Sequence, residues 1–259
     1  MQVVAVQPDI AWEDKAANFE RVAQQLAAAK IEPGALVALP EMFATGFSMN
    51  VSATAEPADG PTHQFLAGLA RQYQVTVVGG VVTRGADGRG LNQAVAFDPT
   101  GELLARYSKI HPFSFAGETK HFAGGSEIAT FTWQGLKVAP FVCYDLRFPE
   151  IFRHAVRRGA ELLVVIANWP EARESHWQAL LRARAIENQC YLVGVNRVGS
   201  DPLVRYAGHS LILDPRGEPL AIAGSEPEVL SAQVERNPLV EYRQKFPALN
   251  DVRKEFLGL

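Results

Sequence analysis

The sequence predicts an α/β fold in which two mixed β-sheets pack face to face with helices on the outside. Segments typical of strands and of helices alternate along nearly all of the 259 residues, and helical crossovers join parallel strands. Asp-Pro turns at residues 98–101 and 214–217 each connect two β-rich runs, which predicts two antiparallel hairpins. One such hairpin in each half of the chain indicates two related sheets.

The first half of the chain begins with an apolar run at residues 1–7, which predicts a strand. Phe19 and Leu26 belong to a pattern of helical spacing that continues to Lys30. A second helical pattern covers residues 61–73. Further β-rich runs predict strands at residues 35–40, 75–82, 93–97 and 103–108.

The second half repeats this alternation. Apolar runs predict strands at residues 138–142, 162–167, 191–196, 210–213, 219–223 and 229–234. Between them, residues 176–188 carry apolar side chains along one side of a predicted helix. No Pro-, Gly- or Ser-rich linker and no change of composition divides the chain, so a single domain covering residues 1–259 is predicted.

Composition argues against several classes of protein. The 25 basic and 28 acidic residues give a formal net charge of −3, so no nucleic-acid partner is expected. Apolar runs stay shorter than the roughly 18 residues that a membrane-spanning helix needs, so no membrane association is expected. The two cysteines and the strand-like, non-basic N-terminal segment predict a cytoplasmic protein without a disulfide framework.

Three predicted strands end at side chains that carry chemistry, namely Glu41, Lys109 and Cys143. Ligands of open α/β sheets collect at the carboxyl ends of strands. Cys143 lies between the apolar run 138–142 and a helical pattern that begins at Pro149. Such an elbow places the sulfur near backbone N–H groups and a helix N-terminus, which favours thiolate. A carboxylate, an ammonium group and a thiol make a plausible catalytic set.

Each of these residues also has a non-catalytic interpretation. A cysteine after a buried strand often serves as a small core residue, and this is the interpretation of Cys190, which leads into an apolar strand. Glu41 alone is compatible with a helix cap or a solvent-exposed side chain, and Lys109 alone with a solvated strand end. His111 and His176 raise the possibility of a Cys–His protease, but the local signatures of those proteases are absent.

Searches for other motifs find nothing. The chain has no G-x-S-x-G elbow, no P-loop, and no C-x-x-C or H-E-x-x-H spacing. The six histidines are scattered. We therefore expect no metal and no cofactor.

The residues around Glu41, Lys109 and Cys143 resemble the nitrilase, or carbon–nitrogen hydrolase, superfamily. The resemblance rests on three segments in the expected order: residues 39–43 (LPEMF), 109–113 (KIHPF) and 142–150 (VCYDLRFPE). It continues through residues 168–170, 183–189, 196–199 and 241–247, and so covers nearly the whole chain. A narrower similarity, at residues 46–49, at residues 168–170 and in the C-terminal segment, is to the bacterial YafV-type ω-amidases.

This resemblance implies a four-layer αββα sandwich (the nitrilase fold), a homodimer, and a Glu–Lys–Cys triad with Glu118 as a fourth polar member. The chemistry also follows from the residue types. Cys143 attacks the amide carbon and forms a thioester, and Glu41 moves the protons in both half-reactions. Lys109 and the backbone N–H of Tyr144 stabilise the oxyanion.

An ω-amidase hydrolyses the terminal amide of a 2-oxo dicarboxylic acid monoamide, such as 2-oxoglutaramate or 2-oxosuccinamate, with water and releases ammonia. Because this substrate carries a carboxylate, a cation besides Lys109 is expected in the pocket. Arg173 is the first candidate. Arg147 is the second, with an ion pair that holds the elbow as an equal alternative. Aromatic side chains that are candidates for the pocket walls are Phe43, Phe47, Phe113 and Trp169.

Other functions stay open at this point. A deaminated-glutathione or carbamoyl-amine hydrolase would use the same chemistry, and nitriles are not excluded as side substrates. A non-catalytic scaffold with the same fold is a different class, against which the complete triad argues. An amidase domain that feeds ammonia to a synthetase would need an attached second domain.

Overall fold

The computed structural model describes residues 1–253 and 255, so the last part of the predicted domain, residues 254 and 256–259, lies outside the described residues. The strands in chain order are β1 (Gln2–Gln7), β2 (Leu36–Ala38), β3 (Thr76–Arg84), β4 (Gly90–Phe97), β5 (Leu103–Ser108), β6 (Phe131–Trp133), β7 (Leu136–Val142), β8 (Leu162–Ile166), β9 (Tyr191–Val195), β10 (Val198–Ser200), β11 (Arg205–Ala207), β12 (Leu211–Leu213), β13 (Pro219–Ile222) and β14 (Glu228–Gln233). The α-helices are α1 (Lys15–Ala28), α2 (Val51–Thr54), α3 (Pro61–Tyr73), α4 (Glu118–His121), α5 (Pro149–Arg157), α6 (Glu174–Asn188) and α7 (Arg236–Lys245).

Two six-stranded mixed sheets form the centre of the fold. The first has the order β14-β1-β2-β3-β4-β5 and the second the order β13-β12-β9-β8-β7-β6. In each sheet three neighbouring strands are parallel, and the strands added on both sides are antiparallel. Each sheet therefore repeats the same plan, with helical crossovers between its parallel strands.

The sheets pack against each other through an apolar layer. Val3, Ala5 and Ala94 of the first sheet belong to one buried cluster with the strands of the second sheet. The rings of Tyr107 and Phe141, whose centroids lie 5.6 Å apart, join the two sheets edge to face. Burial of this layer on both sides removes most of the apolar strand surface from water.

Helices cover the two outer faces. Val22 of α1 and Leu66 of α3 pack on the outer face of the first sheet. Phe152 of α5 and Trp177 of α6 belong to the buried cluster that includes the second sheet. The predicted four-layer αββα sandwich is therefore confirmed. None of the helices within residues 1–253 and 255 is long and apolar enough to cross a membrane.

The two hairpins predicted from Asp-Pro turns are both present, and they lie in different sheets. Residues 98–101 connect the antiparallel pair β4 and β5, and residues 214–217 connect β12 and β13. In each turn the aspartate side chain accepts backbone N–H bonds from residues two and four positions later. This Asx geometry explains why the same four-residue signature closes both hairpins.

The observed boundaries of the elements differ from the predicted ones where a capping side chain sets the end of a helix. The first helix was predicted for residues 19–30, but it spans Lys15–Ala28, because the side chain of Asp14 accepts the Ala17 N–H at 3.0 Å and starts it earlier. Elements absent from the prediction are short, or lack an apolar stripe. They are β6, the β10–β11 hairpin, α2, α4 and α7, and in α7 only Leu239 is buried.

Candidate active site

Glu41, Lys109 and Cys143 come together in one buried group, although they are distant in sequence. Glu41 follows β2, Lys109 follows β5 and Cys143 follows β7, so the first two belong to one sheet and the third to the other. The Lys109 Nζ donates to Glu41 Oε1 at 2.9 Å, and both side chains are almost completely buried. The carboxyl ends of strands from both sheets thus meet at one point, as expected for a ligand site.

Glu118, at the start of the short helix α4, completes the polar group. Its carboxylate accepts from the Lys109 Nζ at 2.8 Å and from the Phe113 N–H at 2.5 Å. The ammonium group therefore lies between two buried carboxylates. Burial alone would lower the pKa of Lys109, but the charges of Glu118 and Glu41 raise it above the ordinary value, so the amine stays protonated.

Cys143 occupies a strained elbow. Its φ of +48° is in the left-handed region, which residues other than glycine rarely adopt. This conformation turns the chain sharply from β7 into a 3-10 turn, Cys143–Arg147, which precedes α5. The sulfur lies 3.8 Å from the carbonyl oxygen of Asn168.

The expectation that the elbow favours thiolate differs from the observed environment. Burial raises the pKa of the Cys143 thiol well above its ordinary value, and the negative charge of Glu41 adds to that shift, while Lys109 opposes it. Desolvation and the adjacent carboxylate outweigh the backbone dipoles of the elbow. These surroundings therefore favour the neutral thiol of Cys143 at neutral pH.

Asp145 holds the elbow in place. Its carboxylate accepts hydrogen bonds from the Val142 N–H at 3.1 Å, the Tyr107 hydroxyl at 2.8 Å and the His111 N–H at 3.0 Å. The His111 ring also contacts this carboxylate, at 2.9 Å. His111 thus binds Asp145, and the exposed His176 contacts Arg147. In the described part of the chain neither histidine is hydrogen-bonded to Cys143, so the Cys–His alternative has no geometric support.

A cavity of about 290 Å³ opens above the sulfur. Its lining includes Cys143 and all six residues predicted to bind substrate, namely Phe47, Phe113, Tyr144, Arg147, Trp169 and Arg173. Phe47 also lies over the ammonium group, with its ring centroid 5.2 Å from the Lys109 Nζ. Phe43, predicted as a fourth aromatic wall, instead packs against the stacked rings of Phe19 and Phe65 on the outer face of the first sheet.

Two arginines bring positive charge to this largely apolar cavity. The Arg173 guanidinium lies over the Phe113 ring at 5.5 Å, and the Arg147 guanidinium over the Trp169 ring at 4.9 Å. Among the described residues neither arginine is paired with a carboxylate, so the predicted ion pair of Arg147 at the elbow is not observed. Stacking on aromatic faces leaves the guanidinium edges available to an anion.

The structure also places at the site residues that sequence reasoning missed. Asn92 of β4 donates to both Glu41 and Glu118, and Asn168 donates its backbone N–H to Glu41 Oε2 at 2.9 Å. The sequence contained a signal for Asn92, because the alternation of side chains along a strand puts this polar residue on the same face as Ala94. That face packs in the inter-sheet layer. The β10–β11 hairpin, which lines the cavity through Tyr206, had no comparable signal.

No group of three or more His, Cys, Asp or Glu side chains that could hold a metal ion occurs in the part of the chain that the structure describes. At the site itself, the Lys109 ammonium group occupies the position between the carboxylates of Glu41 and Glu118. Cys190 is buried in the core, where its sulfur contacts the carbonyl of Ala160 at 3.4 Å.

Comparison with known proteins agrees with this geometry. The family model described as carbon-nitrogen hydrolase matches residues 2–244. The chain is 38% identical to "Omega-amidase YafV" of Yersinia enterocolitica, over 99% of this chain and 98% of that protein. It is 35% identical to "2-oxoglutaramate amidase" of Bacillus subtilis (strain 168), over 85% of each.

A solved structure shows the same architecture. A CN-hydrolase superfamily protein from Xanthomonas campestris, which has an arsenic adduct in its active site, is 35% identical, with a TM-score of 0.92 over 98% of this chain and 97% of that chain. The family resemblance inferred from the motifs around Glu41, Lys109 and Cys143 is thereby confirmed. Because the family model matches residues 2–244 and a relative that is 38% identical aligns with 99% of the chain, the chain belongs to the carbon–nitrogen hydrolase family.

Proposed function

We propose that this protein is an ω-amidase, which hydrolyses the terminal amide of a small 2-oxo dicarboxylic acid monoamide to the 2-oxo acid and ammonia. One observation carries the proposal: the Cys143 thiol lines a cavity and lies next to the buried pair of Glu41 and Lys109. The same cavity contains two arginines that have no acidic partner among the described residues. Relatives named omega-amidase and 2-oxoglutaramate amidase support this choice of substrate class.

In the acylation half-reaction, the Cys143 sulfur attacks the amide carbon while its proton passes to Glu41. The raised pKa of the thiol means that this transfer accompanies the attack and does not precede it. Glu41 then protonates the leaving nitrogen, the C–N bond breaks, and ammonia departs. The product of this step is a thioester on Cys143.

In the deacylation half-reaction, Glu41 takes a proton from water, whose oxygen attacks the thioester carbon. The C–S bond breaks, and the sulfur regains the proton. Each tetrahedral intermediate carries an oxyanion that faces the Lys109 ammonium group and the Tyr144 N–H. Loss of one such donor typically costs about 3–4 kcal/mol of transition-state stabilisation. Glu118 keeps Lys109 in place through its bond of 2.8 Å to Nζ.

The carboxylate of the substrate binds Arg173, with Arg147 as the second cation. Both guanidinium groups line the same cavity as the sulfur. A guanidinium group binds carboxylates in bidentate fashion, and such charged hydrogen bonds are stronger than neutral ones. Trp169, Phe47 and Phe113 form the apolar walls, which restrict the cavity to small acids.

A panel of amides tests the proposal through ammonia release. We expect turnover of 2-oxoglutaramate and 2-oxosuccinamate to exceed that of deaminated glutathione, N-carbamoyl amines and nitriles. Cys143→Ser should fold but have no activity, whereas Cys190→Ala, which changes the other buried thiol, should keep it. Turnover by the folded Cys143→Ser protein would contradict the mechanism. If the protein instead preferred deaminated glutathione or a carbamoyl amine, the mechanism would stand and the proposed substrate class would be wrong. If it hydrolysed none of the amides, a non-catalytic scaffold would be favoured.

We further propose that residues 1–259 form one hydrolase domain, that the enzyme is a homodimer and that it works in the cytoplasm. The family match over residues 2–244 supports the single domain. The exposed apolar side chains of Ile186 on α6 and Phe246 behind α7 are compatible with a second copy. Both cysteines are free thiols, as expected in a reducing compartment.

A further inference from the structure

Asn92 is a buried polar residue in an otherwise apolar layer, and the two half-reactions above do not use it. It lies on β4, two residues before Ala94, and shares the strand face that packs against the second sheet. Only 1% of its surface is exposed. Burial of a polar side chain at such a position costs free energy unless the side chain forms hydrogen bonds there.

The amide nitrogen of Asn92 joins the two carboxylates of the site. It donates to Glu41 Oε1 at 2.6 Å and to Glu118 Oε1 at 2.9 Å. The Lys109 Nζ donates to the same two carboxylates at 2.9 Å and 2.8 Å. Asn92 and Lys109 are thus the two side chains that donate to both carboxylates, while the backbone N–H groups of Asn168 and Phe113 each donate to one of them.

The main chain fixes Asn92 in register with Lys109. The carbonyl of Asn92 accepts the Lys109 N–H at 2.8 Å, directly beyond the β4–β5 ladder. Because two acceptors face the amide, its nitrogen must point toward them, since a carbonyl oxygen there would oppose two negative charges. The orientation of the side chain is therefore determined by the site.

The charges explain why a neutral donor is useful at this position. Glu41 and Glu118 carry two negative charges against the single positive charge of Lys109 in a buried environment. A second cation would neutralise the remaining negative charge of the group. That negative charge is what attracts the thiol proton to Glu41. The Asn92 amide donates to both carboxylates without adding a charge.

We propose that Asn92 is a positioning residue, whose amide holds Glu41 and Glu118 against Lys109 and so keeps the Glu41 carboxylate in place as the base that receives the Cys143 proton. The inference rests on the proposed amidase function. The titratable groups that face Glu41 are Lys109, Glu118, Cys143 and Tyr206, and all of them stay unchanged in the variants below.

The test compares Asn92→Ala and Asn92→Asp with the wild-type protein in steady-state kinetics on 2-oxoglutaramate from pH 5 to 9. Asn92→Ala should lower kcat by roughly tenfold to a hundredfold, because the base is misplaced, with KM within about twofold of wild type.

Asn92→Asp keeps the shape of the side chain but replaces the donor with a third carboxylate. Its activity at neutral pH should fall at least as far, and should recover partly toward acidic pH, where the introduced carboxyl is protonated and donates again. Asn188→Ala is the matched control, because Asn188 is a buried asparagine of α6 whose side-chain amide donates to the Arg184 carbonyl and to Glu187, both in the same helix. It should lower the melting temperature without moving the pH profile.

The outcomes separate this inference from the proposed function. A wild-type protein that releases no ammonia from any 2-oxo acid amide refutes the function itself. Wild-type turnover with unchanged kcat and pH profile in folded Asn92 variants overturns the inference alone. A rise in KM at constant kcat would place Asn92 in substrate binding and also overturn it, as would failure of both variants to fold, which would assign Asn92 to the core.

Discussion

At the scale of single residues, the site depends on interactions between charged groups, which are stronger in a buried environment than in water. Lys109 keeps its proton because two carboxylates touch it, and Cys143 keeps its proton because desolvation and Glu41 disfavour the thiolate. In the proposed mechanism, the proton of the Cys143 thiol therefore passes to Glu41 during the attack on the substrate. Arg173 differs from these residues, since it has no acidic partner in the described structure and is open to the cavity.

This environment of Arg173 leads to a prediction about substrate binding. Arg173→Ala should raise KM for 2-oxoglutaramate roughly tenfold to a hundredfold, because charged hydrogen bonds contribute about 1.5–3 kcal/mol. The kcat value should stay close to wild type, since the arginine binds the ground state and the transition state equally. Steady-state kinetics with 2-oxoglutaramate and with an aliphatic amide that lacks a carboxylate measures the effect.

Only the carboxylate-bearing substrate should respond to that change. Arg205→Ala is the control, because Arg205 is exposed, lies 3.7 Å from Glu171 and does not line the cavity. An unchanged KM for 2-oxoglutaramate in Arg173→Ala would remove Arg173 from carboxylate binding and leave Arg147 as the candidate.

At the scale of elements, two of the proposed catalytic residues, Glu41 and Cys143, lie in sharp turns that follow strands. The turn after β2 has a left-handed residue at Met42, with φ of +43°, and the turn after β7 has one at Cys143. The first turn packs directly against the backbone of β3 at Gly80, whose N–H donates to the Pro40 carbonyl at 3.2 Å. A side chain at Gly80 has no room there.

Gly80→Ala should therefore displace the turn that carries Glu41. The added Cβ would lie 2.3 Å from the Met42 nitrogen and 2.6 Å from the Glu41 Cα, which are backbone atoms and cannot rotate away. We expect a loss of about 1–3 kcal/mol in the free energy of unfolding, as for other overpacked sites. The kcat value should also fall, and urea denaturation with steady-state kinetics measures both quantities.

Gly68→Ala provides the matched control for this substitution. Gly68 lies inside α3, and an added Cβ there meets nothing within 4 Å. That variant should gain about 0.5–1 kcal/mol through helix propensity and keep its activity. If Gly80→Ala behaved like Gly68→Ala, the support of the Glu41 turn by β3 would be excluded.

At the scale of the whole molecule, the site exists only when both sheets are in contact. Glu41 and Lys109 come from the first sheet and Cys143 from the second, and the Asn168 N–H bridges them through its bond to Glu41. Helix α7 packs at the opposite end of the second sheet, where β8 and β9 begin. There Arg243 donates to the Gln189 carbonyl at 2.9 Å and to the Cys190 sulfur at 3.0 Å.

Cys190 is therefore a probe of global unfolding. Burial raises the pKa of its thiol to about 12, so a thiol reagent such as DTNB finds neither access nor thiolate at neutral pH. In the Cys143→Ser protein, labelling of Cys190 should be negligible in native buffer and should appear with the urea transition that tryptophan fluorescence reports. Fast labelling without denaturant would instead show that α7 opens locally.

The sequence by itself determined the alternation of strands and helices, the two Asp-Pro hairpins and the three strand ends at Glu41, Lys109 and Cys143. These features depend on local periodicity, turn chemistry and short motifs, which a linear pattern contains. Tertiary structure alone decided that Asn92 bridges two carboxylates, that Phe43 packs under the helices on the outer face of the first sheet, and that the surroundings of Cys143 favour the thiol. Those outcomes depend on burial and on charges from segments far apart in sequence, and only the packing of the two sheets brings such segments together.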